Sequence, residues 1–207
     1  MAQPAGATRL VHPAGQRLFF ALWPEPAAQR ALYAQVRAVL PHGAGRLVVP
    51  ENLHLTLVFL GVVDEDRRHC LEAAAAAAAV RSRRFSLEFD VAGYWPRPRV
   101  LWFGCSRPPQ ALLDLVAALQ SGVGGCGFAA DRRPYAAHLT VARKLAHDPG
   151  AMAIAPVRWS VEEFVLAESQ TRSDRAYYRP LQTWMLEGGP FPASTHSKPM
   201  QPGAGKP

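Results

Sequence analysis

Asn52-Leu53-His54-Leu55-Thr56-Leu57-Val58-Phe59-Leu60-Gly61 reads as a β-strand, and its side chains say which way it faces. Successive strand residues point to opposite faces of a sheet. Leu53, Leu55, Leu57 and Phe59 therefore share one face, and His54 and Thr56 share the other. The first set attaches the strand to a core. The second offers an imidazole and a hydroxyl. Ala137-His138-Leu139-Thr140-Val141 repeats the arrangement, with His138 and Thr140 opposed to Leu139 and Val141. Seven histidines and six threonines in 207 residues would produce about 0.2 His-x-Thr triplets by chance, yet there are two, both in apolar strands. A single strand histidine reads as a half-buried, hydrogen-bonded residue. A matched pair reads as a site.

Outward from these strands the order of elements repeats. Arg17 to Trp23 is a strand ended by Pro24, and Pro26 stands where a helix begins. Leu32, Val36 and Val39 recur at helical spacing, and Pro41-His42-Gly43 stops that helix before the His54 strand, which Gly61 closes. Asp64 is the expected N-cap of a second helix running to about Val80, and Phe85 to Val91 is a strand. Val100 to Gly104, Pro108-Pro109 and the face Leu112, Leu115, Val116 and Leu119 then replay strand, break and helix before the His138 strand. Val161 to Glu168 and Tyr178 to Leu186 are the last strands expected. Phe20 precedes His54 by 34 positions, and Phe103 precedes His138 by 35. A duplication by order of elements follows. Each half alone would expose an apolar sheet face, so the halves should pack together with a groove between them. Residues 1–15 read as a disordered leader, 16–186 as one bilobal domain, and 187–207 as a disordered tail.

Composition bounds the partners. The formal charge is +7 and the pI about 9.8, a balance that favours anionic ligands, phosphates above all. Cys70, Cys105 and Cys126 show no Cys-x-x-Cys spacing, and their odd number argues against a disulfide framework. A reducing, cytoplasmic setting is the expectation. The longest uniformly apolar run, Ala73 to Val80, is far short of a membrane span. No carboxylate cluster is spaced for a divalent metal, no zinc pattern is present, and no phosphate-cradling P-loop occurs, so no metal or cofactor is expected.

Two imidazoles from related halves suit the cleavage of a phosphodiester. In-line attack needs one proton removed from the nucleophile and one delivered to the leaving oxygen on the opposite side. Imidazole titrates near neutrality, so one ring can be neutral while its partner is protonated. Each threonine hydroxyl can donate to a non-bridging oxygen. The residues alone are too symmetric to say which histidine plays which part.

The chain resembles the 2H phosphoesterase superfamily, and within it the bacterial RNA 2′,3′-cyclic phosphodiesterases, also called 2′-5′ RNA ligases. The likeness covers about Arg17 to Leu186. It includes Arg17-Leu18-Phe19-Phe20-Ala21, both histidine motifs, Arg133-Pro134-Tyr135, Arg143, and Tyr178 with Pro180-Leu181. It departs from the family pattern at Ala137, where relatives often carry Pro, and at Asp174, where they often carry Gly. The resemblance implies an α+β bilobal pseudo-two-fold fold, with two antiparallel sheets lining a central groove and helices outside. It implies conversion of a 2′,3′-cyclic phosphate at an RNA 3′ end to a 2′-phosphate, with His54 as proton donor, His138 as proton acceptor, and Thr56 and Thr140 on the phosphate. Arg143 is expected on a substrate phosphate, since guanidinium forks match phosphate oxygens. Phe20 and Tyr178 are candidates to stack on a terminal base, although a core position competes for both, as it does for Phe19, Tyr135 and Trp95. The expected partners are RNA 3′ ends or small cyclic nucleotide phosphates, with no membrane, no obligate protein partner and a monomeric chain. The same residues allow metal-free 2′-5′ joining of RNA ends, and a non-catalytic RNA-binding module is the reading from a different class.

Overall fold

The computed structural model describes residues 15–129, 133–172 and 175–188. The elements run β1 (Gln16–Leu22), α1 (Pro26–Val39), β2 (Arg46–Leu47), a 3-10 turn (Pro50–Asn52), β3 (Leu55–Val63), α2 (Glu65–Arg81), β4 (Phe85–Phe89) and β5 (Val91–Trp95). Then follow β6 (Val100–Gly104), α3 (Gln110–Gly125), β7 (His138–Arg143), β8 (Val157–Val161), β9 (Glu163–Arg172) and β10 (Arg175–Met185). The helix boundaries follow their caps. Asp64 accepts from the Arg67 backbone N–H at 2.9 Å and opens α2, and Pro26 opens α1. Strands β5 and β8 were not expected as separate elements. Asp90 interrupts the strand and divides β5 from β4, and β4 pairs with β8 in a separate two-stranded sheet.

The two halves are both antiparallel, and they join into one sheet of order β10-β9-β1-β3-β7-β6-β5, with β2 also on β7. The join is narrow. β3 and β7 pair only at Leu55 and Leu139, within their histidine motifs. Beyond that pair the strands diverge, and β2 takes the remaining edge of β7 through Leu47–Ala142 and Arg46–Arg143. The expected pair of sheets is thus one sheet hinged at the two motifs, and the groove opens where its halves separate. Helix packing ties the halves together. α1, which follows β1, packs on β7 and β8, while α3, which follows β6, packs on β3 and α2. Two of the three helices thus cross from one half to the strands of the other.

The core lies between the helices and one face of the sheet. Leu18, Phe20, Leu22, Leu53, Leu55, Leu57, Leu139 and Val141 are buried there. Two expectations from simple alternation fail at β-bulges. Thr56 pairs with Ala21 and Val58 with Phe20, so Leu57 is an extra residue; Leu60 is another, between Gly61–Leu18 and Phe59–Phe19. A bulge shifts the parity of every later side chain. Phe59, expected on the core face, is 57 % exposed, and Leu60 is buried in its place. Gly61 does not close the strand. It adopts φ +75°, a left-handed conformation open to glycine, and the strand runs on to Val63.

The expectation of no disulfide is also overturned. Cys70 on α2 is bonded to Cys126 at the end of α3, and Cys105 alone is free among the three. The odd count argued against a framework, but it did not forbid a single bridge where two packed helices bring two sulfurs together. No helix among the described residues is long and apolar enough to cross a membrane.

Candidate active site

His54 and His138 are held in the same way. His54 Nδ1 lies 2.8 Å from the carbonyl oxygen of Asn52, and His138 Nδ1 lies 2.8 Å from that of Ala136. A carbonyl oxygen only accepts, so Nδ1 carries the hydrogen in both rings. Each Nε2 is left to accept a proton when the ring is neutral and to donate one when it is charged. The chain path makes this possible, since both residues stand at the entrance to a strand, two positions after a carbonyl that no ladder occupies.

The bulges matter again just beyond. Leu57, the residue after Thr56, is extra in β3. Val141, the residue after Thr140, is extra in β7, where Thr140 pairs with Trp102 and Ala142 with Leu101. The two motifs therefore share a kink at the same position. In β7 the kink lets Val141 and Ala142 both face the core and turns Arg143 to the groove side with His138 and Thr140. Strict alternation would have sent Arg143 to the core.

Two cavities share the groove. A cavity of about 570 Å³ is walled by His54, Thr56, His138, Thr140 and Arg143 together with Trp95, Arg97 and Arg133. Its neighbour, about 270 Å³, shares His54, Thr140 and Arg143 and is completed by Arg46, Val49, Asn52, Lys144, Tyr177 and Tyr178 among others. All four motif side chains thus meet in one place, lined with cations. Among the described residues no group of three His, Cys, Asp or Glu is gathered to hold a metal.

The rings differ in their surroundings. His54 stacks on Trp23 at 5.1 Å between centroids, meets Tyr178 edge-on at 4.6 Å and has Phe19 at 5.0 Å. Burial among these rings pulls its pKa down to about 4, against the Asn52 hydrogen bond, with help from the charges of Arg143 and His138. His138 meets Trp95 at 4.6 Å, and burial with the charge of Arg143 lowers its pKa too. Both shifts favour the neutral ring in the free protein.

Residues 23–172 match the 2′-5′ RNA ligase superfamily. The chain belongs to that superfamily. Within it, the chain is 39 % identical over 176 residues to the RNA 2′,3′-cyclic phosphodiesterase of Escherichia coli K12, spanning 83 % of this chain and 97 % of that one. It is 30 % identical to the protein of the same name from Thermus thermophilus, over 83 % and 91 % of the two chains. The solved structure of E. coli LigT complexed with 3′-AMP superposes with a TM-score of 0.75 at 34 % identity, covering 84 % of this chain and 99 % of that one. The α+β fold of the superfamily is the fold of this chain.

Against this superfamily fold, some expectations need correction. Phe20 does not reach the groove. It is fully buried, edge-on to Phe164 and Trp184. Phe19 faces the other way, in a small apolar cluster with Ala21, Val165 and Ala167 beside Trp23 and Tyr178. With only 2 % of Phe19 exposed, its ring supports His54 rather than a ligand. Both residues are aromatic and flanked by apolar neighbours, so the sequence could not tell which parity faced the helices. Trp95, for which a core position was favoured, packs on His138 and lines the larger cavity. Tyr135 donates to the Thr56 carbonyl at 3.0 Å and so fastens the second-motif approach to the first-motif strand. Trp23 and Asn52 were missed. Trp23 had a legible signal, since positions 19, 21 and 23 share a face. Asn52, whose amide donates to Ala176 O at 3.1 Å, had none. Asp174 lies outside the described residues.

Proposed function

We propose that this chain hydrolyses the 2′,3′-cyclic phosphate at RNA 3′ ends to a 2′-phosphate, by acid–base catalysis between His54 and His138 within the unit 16–186. The observation that carries the reading is the matched anchoring of two imidazoles on one cavity. Each has Nδ1 committed to the backbone, and Thr56, Thr140 and Arg143 share the wall. The names of the relatives supply the substrate class.

In this reading the cyclic phosphate lies where the two cavities meet. His138 Nε2 takes a proton from water as the water oxygen bonds to phosphorus. The P–O3′ bond breaks in line, and His54 Nε2 gives its proton to O3′. The products are a 2′-phosphate and a free 3′-hydroxyl. Thr56 and Thr140 donate to the non-bridging oxygens, and Arg143 offsets their charge. Tyr178, which meets His54 edge-on and lines the smaller cavity, stacks on the terminal base in this reading, and that cavity takes the nucleoside. The partners are RNA 3′ ends or small cyclic nucleotide phosphates, met by a monomer in the cytoplasm. There the Cys70–Cys126 bridge would face reduction.

The test is an oligoribonucleotide ending in a 2′,3′-cyclic phosphate, incubated in EDTA with the product identified as 2′- or 3′-phosphate. His54→Ala and His138→Ala should each lower the rate by at least about 10²-fold, the usual scale for a general acid or base. Turnover that requires added metal, or a 3′-phosphate product, would overturn the reading.

A further inference from the structure

The register of the pair that joins the halves, Leu55 with Leu139, sets His54 opposite Thr140 and Thr56 opposite His138. The four motif side chains surround that pivot on the groove side. A single pair leaves two strands able to turn about it, and any turn changes the separation of the two imidazoles. On the His54 side β2 holds the approach, where the Val48 N–H donates to the Val141 carbonyl at 2.9 Å. On the Thr56 side the strands part, and a side chain makes the tie. The Tyr135 hydroxyl donates to the Thr56 carbonyl at 3.0 Å, between residues 79 positions apart. The Tyr135 ring is half-buried against the main core. Burial pushes its phenol up, so the hydroxyl keeps its proton and goes on donating at neutral pH. Tyr135 borders neither cavity, so it acts through other groups. The tie has functional groups at both ends. Thr56 carries the hydroxyl assigned to the phosphate, and Ala136, next to Tyr135, supplies the carbonyl that holds His138 Nδ1 at 2.8 Å.

We propose that Tyr135 is a positioning residue, whose hydroxyl fixes the distance and aim of His138 relative to the phosphate held by the first motif. The inference rests on the two-histidine reading above and adds to it a group that meets no reactant. The base must stand within hydrogen-bond reach of the attacking water, on the side of phosphorus away from the leaving oxygen. A misplacement of about 1 Å can cost about 10²-fold. The ladder between β3 and β7 cannot hold that placement, because it ends at Leu55–Leu139. A phenol reaches across a wider gap than two backbones do, so the groove opens beside Thr56 while the motifs keep their spacing. The first motif has a tie of its own. The Asn52 carbonyl orients His54, and the Asn52 amide donates to the Ala176 carbonyl of β10 at 3.1 Å. Each imidazole is thus oriented by a carbonyl whose segment is fastened to another strand. The Asn52 tie stays within the half that contains β1, β3, β9 and β10, whereas the Tyr135 tie crosses from one half to the other. Of the two, it is the Tyr135 tie that governs the separation of the rings.

Tyr135→Phe removes the hydroxyl and keeps the ring in the core. The test measures kcat and KM on an oligoribonucleotide ending in a 2′,3′-cyclic phosphate, for the wild type, Tyr135→Phe, His138→Ala and the double variant. Tyr135→Phe should lower kcat at least about tenfold, as a base that is loosened but not lost. KM should move by less than about twofold, since Thr56, Thr140 and Arg143 still hold the phosphate. In the His138→Ala background the same change should cost less than about twofold, because no base remains to be aimed. A role in folding alone would lower the rate by the same factor in both backgrounds, so an equal loss would overturn the assignment. An unchanged kcat in Tyr135→Phe, or an effect confined to KM, would overturn it too, and would leave the two histidines as they stand. Wild-type protein that forms no 2′-phosphate product, or His138→Ala at full rate, would instead overturn the two-histidine reading and the positioning role with it.

Discussion

On the proposed reading His54 is the proton donor, and with a pKa of about 4 it is empty at pH 7, so the substrate must load it. The bound phosphodiester is a monoanion, and against His54 it faces a charge separation of about 4 Å. At an effective dielectric near 20 that attraction is about 4 kcal/mol. One pKa unit corresponds to about 1.36 kcal/mol, so the anion raises His54 by about three units, to near 7. Binding and proton uptake are then one event. Affinity is highest on the acid side and weakens as pH rises, because the complex holds a proton that the free protein lacks. With pKa values of about 4 free and about 7 bound, the dissociation constant should rise about 50-fold between pH 5 and pH 7. Near pH 5.5 each ligand should bring about 0.9 proton with it. The assay is titration calorimetry of the His138→Ala variant with uridine 2′,3′-cyclic phosphate, in two buffers of different ionisation enthalpy. That variant slows turnover, and neither uracil nor the phosphodiester titrates in the range. Adding His54→Gln should abolish both the uptake and the slope. A dissociation constant flat from pH 5 to 7, without proton uptake, would refute the argument and remove His54 from the donor role. The same depressed pKa has an effect on the free protein. The unfolded ring binds a proton more readily than the folded one, so stability falls as pH drops from 6.5 toward 4.

Two further outcomes follow from packing. A Cβ added at Gly93 would stand 2.2 Å from Cζ2 of Trp102, whose ring packs on Trp95 at 5.4 Å and through it on His138. Gly93→Ala should cost about 1–3 kcal/mol in urea unfolding and lower kcat, because the displaced indoles shift the base; a folded variant with unchanged kcat would detach the tryptophan pair from catalysis. Reduction of Cys70–Cys126, which closes a separation of 56 residues, should lower the unfolding free energy by about 4 kcal/mol on the loop-entropy account. It should leave hydrolysis at 25 °C unchanged, since the bridge joins α2 to α3 and not the motif strands; loss of activity under conditions where far-UV dichroism is intact would show that the helices tune the groove.

What could be read in advance was what repeats or alternates. The histidine–threonine pairs, the apolar parity of Leu53, Leu55 and Leu57, and the caps at Pro26 and Asp64 are local signals, and each is where alternation or helix spacing put it. Failures cluster where local pattern loses to register. Phe59 was sent to the core and is exposed, because a bulge at Leu57 is a property of the pairing with β1 and leaves no mark within β3 itself. Phe20 and Phe19 were exchangeable by sequence and are not so by environment, because β1 is covered on both faces. The Cys70–Cys126 bridge needed two helices from different halves to be placed side by side, which spacing along the chain does not encode.

The same bulges explain how a duplicated fold comes to run a one-way reaction. Position 59 stands five residues after His54 as position 143 stands five after His138, and a kink follows the threonine in both strands. In β7 the kink delivers Arg143 to both cavities. In β3 it delivers Phe59, whose exposed ring has the Arg17 guanidinium 5.2 Å from its centroid and borders neither cavity. The two-fold symmetry that brings the imidazoles to one phosphorus is therefore broken in charge. Both rings border the arginine-lined cavity, but His54 is packed by Trp23, Tyr178 and Phe19, while His138 meets Trp95. The more packed ring gains most from an anion placed against it, because little solvent screens the pair. The less packed ring is the one a nucleophile can reach in its neutral form. On the proposed reading, in which the proton passes from the nucleophile to His138 and from His54 to O3′, the two alike motifs are told apart by the neighbours each copy acquired.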